Sequence, residues 1–146
     1  MQRVALVVLV GAALAGAVAA QEGRPVENPY QAEVPFALGE ATDPGVVIDG
    51  VRWSAIRVVP KGDVRPGARV KSEVQLGFEN RSDSRVRIDV VLLFEDASGN
   101  TLHRLEVDPL RLAAGKRRTF RERYRLPADA LSAARKLYLF CEVTPD

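Results

Sequence analysis

Residues able to do covalent or metal chemistry are scarce in this chain, which holds one histidine, His103, and one cysteine, Cys141. A nucleophile–base–acid triad would have to run through His103, with Ser98 or Ser132 as the nucleophile. Neither serine stands in the Gly-x-Ser-x-Gly setting that exposes a nucleophile on a sharp strand-to-helix turn, so acyl transfer is not expected. One thiol and one imidazole leave no zinc site built on several thiolates or histidines, and no internal disulfide framework. Asp96-x-Ser98-x-Asn100 has the spacing that opens an oxygen-ligand calcium loop. No glutamate stands at the downstream position that would complete it, and a hairpin turn accounts for the residues. Gly-rich phosphate loops are absent. The expectation is a protein without metal or cofactor, and not an enzyme.

Charge is the stronger signal. From Thr101 to Arg125 eight bases face three acids: Arg104, Arg111, Lys116, Arg117, Arg118, Arg121, Arg123 and Arg125 against Glu106, Asp108 and Glu122. Lys116 to Leu126 alternates, with Phe120, Tyr124 and Leu126 on one side. On a strand, side chains two apart share a face at about 6.6 Å spacing, so Arg117, Arg121, Arg123 and Arg125 should form one exposed stripe. Guanidinium groups match carboxylates and phosphates with paired hydrogen bonds. The partners in view are therefore an acidic protein, an anionic glycan or lipid headgroups. The plainer alternative is a solvated edge strand whose charges deter pairing with other sheets. No aromatics interleave on that face, so nucleic acid is not expected.

The remaining candidates have ordinary explanations. Cys141 shares a face with Leu137, Leu139 and Val143, as a small buried hydrophobe would; the alternative is a cross-link between two chains in an oxidising compartment. Trp53 and Tyr138 read as packing residues. Asn80-Arg81-Ser82 fits the glycosylation acceptor pattern but also a turn, and the Ala/Val/Arg-rich usage points to a bacterial host where the pattern has no bearing.

These residues are carried by short alternating segments. Val70 to Phe78 alternates apolar and polar positions, Asn80 to Ser84 supplies turn chemistry, and Val86 to Phe94 alternates again. Val91 and Leu93 make the second face of that strand apolar too, which predicts a central position in its sheet. Asp96 to Asn100 is a turn, Leu102 to Val107 a strand ended by Asp108-Pro109, Lys116 to Leu126 a strand, and Leu137 to Val143 the last. Val51 to Val59 opens the series, and Pro127 to Arg135 reads as a crossing loop or one to two helical turns. The pattern predicts an all-β, antiparallel β-sandwich of about seven strands over 46–146, with a closed barrel as the competitor.

Two segments precede it. Residues 1–20 place Arg3 before an apolar run that ends in Val18-Ala19-Ala20, the pattern of a cleaved signal peptide. The run is shorter than the ~20 residues a bilayer span needs, so no transmembrane span is expected after cleavage. The protein should be exported, to the periplasm or beyond the cell. Removal of Arg3 leaves 20 basic against 19 acidic residues, so net charge suggests no partner by itself. Residues 21–45 hold four prolines, and 21–50 hold six carboxylates against Arg24. This reads as an extended acidic arm, either solvated or docked on a basic face through Tyr30 and Phe36.

Leu76 to Phe120 resembles the FxLYD-type immunoglobulin-like domains of exported bacterial proteins. The matching stretches are Gly77-Phe78-Glu79-Asn80-Arg81-Ser82, Phe94 to Asn100, and Gly115 to Phe120, with Glu95 where that family usually has tyrosine. The resemblance covers under half of the mature chain. It implies an immunoglobulin-like sandwich with an accessory or interaction role and no catalytic residues. Together these readings predict an exported protein-interaction module, an accessory subunit of an envelope or secreted assembly. The alternative is a module for anionic glycans or lipid headgroups.

Overall fold

The computed structural model describes residues 22–146; the expected signal segment, 1–20, lies outside them. The strands are β1 (Arg24–Val26), β2 (Tyr30–Pro35), β3 (Val46–Ile48), β4 (Val51–Pro60), β5 (Arg69–Asn80), β6 (Val86–Glu95), β7 (Thr101–Glu106), β8 (Leu110–Leu112), β9 (Arg117–Pro127) and β10 (Lys136–Pro145), with one short helix, α1 (Ala128–Ala133), before β10. One sheet has the order β1-β3-β4-β5-β9 and the other β2-β10-β6-β7, with β8 pairing β6 beyond the end of β7. Every pairing is antiparallel except β1 with β3. Both sheets are open at their ends, so the chain is an all-β sandwich and not a closed barrel.

Period-two patterning explains the layers. β6 buries Val86, Ile88, Val90, Leu92 and Phe94 and leaves the residues between them half-buried, save Glu95. It lies between β10 and the β7/β8 edge, the central place its second apolar face predicted. On the inner face of the other sheet Trp53 of β4 stacks on its neighbour Phe78 of β5 at 5.3 Å, and Phe120 of β9 meets Phe78 edge-on at 6.4 Å. Such aromatic pairs add roughly 0.5–1.5 kcal/mol beyond the area they bury. The Asp108-Pro109 break holds, yet the edge resumes: β7 pairs the end of β6 and β8 pairs its beginning. Pro109 has no N–H to give the ladder, and the N–H of Asp108 donates instead to Tyr124 Oη at 3.0 Å.

Four strands were not anticipated. β3 and β4 are joined by Asp49-Gly50, both at positive φ (45° and 80°), the backbone of a tight hairpin turn. β1 and β2 come from the segment read as an arm. It is extended, and it completes both sheets: β1 pairs β3, while β2 pairs β10 over six residues. Tyr30 and Phe36 are buried anchors, at 7% and 8% exposure. They anchor in the sandwich core, and among the described residues no hydrogen bond or ion pair joins the segment to the arginine strand: β1 is the opposite edge of that sheet, and β2 lies in the other sheet. Asn28 fastens the segment by accepting from the N–H of Val143 (3.1 Å) and donating to its carbonyl (2.6 Å).

Cys141 is free and fully buried, and burial pushes its thiol far above the ordinary range. A cross-link through it would require the sandwich to open.

Glu95, at the end of β6, is 8% exposed, and its Oε1 has no partner among the described residues. Burial first, and then the neighbouring Glu33 carboxylate, raise its pKa; Glu33 is held low by the Glu95 carboxyl and by Lys136, 3.3 Å away. A carboxyl whose folded-state pKa is raised stabilises the fold when protonated, and that contribution is lost as pH rises through the folded value. Glu95→Gln is therefore expected to raise the melting temperature at pH 8 and to leave it nearly unchanged at pH 4. Equal melting curves for the two proteins at both pH values would show that Glu95 is not strained by its ionisation.

Candidate functional site

The arginine strand lies where alternation places it. Phe120 and Leu126 of β9 are buried, Tyr124 is half-buried, and Arg117, Arg121, Arg123 and Arg125 are exposed on the opposite face. β9 ends its sheet, so the stripe sits on an edge strand of eleven residues. The side chains of Arg117 and Arg121 are 78% and 63% exposed.

The neighbouring strand divides the stripe into two halves. Register sets Arg117 opposite Glu79, Thr119 opposite Gly77, Arg121 opposite Gln75, Arg123 opposite Glu73 and Arg125 opposite Lys71. Arg117 binds Glu79 at 3.0 Å and Arg121 binds Glu73 at 3.2 Å. Glu73 lies buried beneath Arg121 and Lys61. A hydrogen bond from Gln75 does most to hold its carboxyl below the usual range, with Arg121 and Lys61 adding to it. Glu79 is likewise held low, first by Arg117 and then by Arg81. This half is largely neutralised. Around it Arg52, Ser54, Glu79, Arg81 and Arg117 line a basin of about 360 Å³, and Arg52 is ion-paired with Asp43 at 3.2 Å.

The other half is bare. Among the described residues the side chains of Arg123, Arg125 and Lys71 have no carboxylate within ion-pair distance, and Lys71 faces Arg125 directly. The β4–β5 connection folds over this end, where Lys61, Arg65, Arg69, Lys71 and Arg125, together with Asp63, line an open hollow of about 410 Å³, and Lys61 is paired with Glu73 at 3.8 Å. Arg65 is paired with Asp63 at 3.0 Å, and Arg69 donates to the carbonyl of Arg125 at 3.2 Å. The stripe was visible in the period of β9; Lys71, Arg69 and the hollow were not, because they arrive through pairing with β5. An anion placed here meets several guanidinium and ammonium groups at once, the arrangement that favours carboxylate or phosphate.

The other residues singled out in the sequence serve the fold. His103 packs its ring on Phe94 at 6.2 Å, and burial, then Arg69, lowers its pKa. No hydrogen bond joins it to Ser98 or Ser132 among the described residues: Ser98 sits in the β6–β7 turn and Ser132 on α1. Asp96 is spent on its own turn, accepting from the N–H groups of Ser98 and Asn100, each at 2.9 Å. Gly99 closes that turn at φ 86°. Asn80 is fully buried with its amide in use, so the folded chain offers no glycosylation acceptor there. Trp53 is core; Tyr138 lies on the outer face of the second sheet and donates to Gln31 at 2.6 Å.

No family model matches the chain, and no curated protein matches it. Among solved structures it is similar to the enzymatically active domain of tailspike protein 4 of bacteriophage CBA120, at 11% identity and a TM-score of 0.24 over 82% of this chain. The chain spans 17% of that protein's length, and a likeness of this degree carries no argument about activity.

Proposed function

We propose that this protein is an exported, non-catalytic interaction module of immunoglobulin-like order that docks an acidic protein partner on the outward face of β9. The single observation carrying the reading is the bare half of the stripe: Arg123, Arg125 and Lys71 crowd one end of an edge strand without carboxylates to neutralise them. Like charges held opposite one another in a sheet cost stability, and a bound acidic group removes that cost. The fold supports the immunoglobulin-like part. β4-β5-β9 follows the order A-B-E, and β10-β6-β7 the order F-C-C′, with the N-terminal β2 in the place of strand G. Export rests on the pattern of residues 1–20.

A second reading has its own observation, the 410 Å³ hollow whose five bases outnumber its one acid, Asp63, which suits a compact phosphate or sulfate group on a lipid or glycan. Affinity capture from an envelope fraction separates the two, using the native chain and one carrying Arg→Ser at 117, 121, 123 and 125. The expected result is a protein partner lost on substitution and weakened by salt, since exposed charge contacts are screened. Loss of a glycan or lipid with no protein partner supports the second reading, and capture unaffected by the substitutions overturns both. Arg123→Ser with Arg125→Ser alone should reproduce most of the loss. These two are exposed and unpaired, so stability should stay within about 0.5 kcal/mol of the native chain.

A further inference from the structure

We infer that the partner binds by strand addition: an extended acidic segment pairs antiparallel along the open edge of β9, with acidic side chains at i and i+2 opposite Arg125 and Arg123. The inference rests on the docking reading above and adds its geometry.

The ladder fixes which backbone groups of β9 are available. In register with the β5–β9 pairing, the N–H of Asn80 donates to the carbonyl of Lys116 at 2.8 Å. Hydrogen-bonded pairs alternate along an antiparallel ladder, so even-numbered residues of β9 exchange bonds with β5. The odd-numbered ones, Arg117 to Arg125, turn N–H and C=O to the open side. The bond from Lys61 N–H to the Lys71 carbonyl (2.7 Å) gives the matching alternation on the other side of β5. Among the described residues no backbone group pairs with these outward positions, and only the Arg125 carbonyl is occupied, by the Arg69 guanidinium. The residues that offer the edge hydrogen bonds are thus the same ones that carry the arginines.

This coincidence selects the occupant. A second copy pairing β9 with β9 antiparallel would set odd residues against odd residues, arginine opposite arginine, and is disfavoured. An acidic strand sets a carboxylate opposite each free guanidinium while its own N–H and C=O satisfy the edge. Opposite Arg117 and Arg121, whose charges are already met by Glu79 and Glu73, the segment needs no acids. Approach of the segment would release Arg69 from the Arg125 carbonyl to face the incoming carboxylate.

Two short peptides of one composition test this against the full chain, one with acids at i and i+2 and one with acids at i and i+1. The expected result is about tenfold tighter binding of the first, roughly 1.4 kcal/mol, with slowed amide exchange at the odd residues of β9. N-methylation at the acidic residues should abolish binding, because their N–H groups face the edge; N-methylation at the residues between them should not. Equal binding of the two isomers, with N-methylation harmless at either place, overturns strand addition while sensitivity to Arg123→Ser/Arg125→Ser keeps the docking reading. Unchanged peptide binding to that double variant removes the docking reading and this inference with it.

Discussion

A chain that begins at Phe36 is expected to lose its cooperative unfolding transition under conditions where a chain of residues 22–146 melts as one unit. The truncation removes β1 and β2, and with β2 the six-residue ladder that covers the outer edge of β10. Tyr30 leaves the core with them, and Val26, Ala32 and Val34 leave its rim. Tyr30 alone buries on the order of 150–250 Å² of side chain, worth at most about 4–6 kcal/mol at 25 cal/mol/Å². Domain stabilities are about 5–15 kcal/mol in total, so this single loss takes a large share. The exposed β10 would present ten residues of unpaired edge beside the core positions Leu137, Leu139 and Cys141, a template for aggregation. Thermal unfolding followed by far-ultraviolet circular dichroism decides it. A truncated chain melting within a few degrees of the full one would show the segment to be a dispensable leader. Adding a peptide of residues 22–35 should restore part of the lost stability by mass action, since it binds the folded state alone.

That prediction depends on a feature the sequence held in weak form. Tyr30, Ala32 and Val34 alternate with Gln31, Glu33 and Pro35, which is strand patterning, but four prolines and five carboxylates gave residues 21–45 the composition of a solvated leader. Proline is tolerated where a strand needs no ladder N–H, and β2 is such an edge. β1, β3 and β8 have three residues each, too few to show a period. The Asp49-Gly50 hairpin did have a local signal, a dipeptide suited to two positive φ angles, between apolar neighbours. The long strands β5, β6, β9 and β10 were legible because each repeats its alternation many times over, while β4 was marked by its apolar content, since an irregularity between Trp53 and Ala55 breaks its period. The site divides in the same way. That Arg117, Arg121, Arg123 and Arg125 share a face follows from counting by twos; that two of them are spent and two are free depends on Glu79, Glu73 and Lys71 of β5. Register across a sheet is a tertiary property, and no local period records it.

Substitution of Asn80 should be among the most damaging single changes in the molecule, and aspartate should be worse there than alanine at neutral pH. Asn80 is fully buried at the end of β5, yet all its hydrogen-bonding capacity is engaged. Its amide donates to the carbonyls of Ser84 (2.8 Å) and Leu112 (3.1 Å), and its Oδ1 accepts from the N–H (3.0 Å) and hydroxyl (2.6 Å) of Ser82. Ser84 closes the β5–β6 turn, which connects the two sheets, and Leu112 belongs to β8, so one side chain at the end of β5 ties its sheet to that turn and to an edge strand of the other sheet. Asn80→Ala withdraws the donor from two carbonyls and the acceptor from two donors, and unsatisfied buried groups cost about 1–3 kcal/mol each where water cannot reach them. A loss of about 2–4 kcal/mol is expected. Asn80→Asp keeps the shape but aims a carboxylate oxygen at the two carbonyls, so the new carboxyl should be held protonated in the folded state. Its pKa would then be raised above the unfolded value of about 3.9. Stability of that variant should be greatest at acidic pH, where the protonated group donates one of the lost hydrogen bonds, and should fall as pH rises through the raised pKa. Urea unfolding of the native chain and both variants at pH 4.5 and pH 8 tests the order, with the aspartate-minus-alanine difference cancelling the titration of other groups. An aspartate variant as stable as the native chain at pH 8 would mean that the amide does not bridge the two sheets.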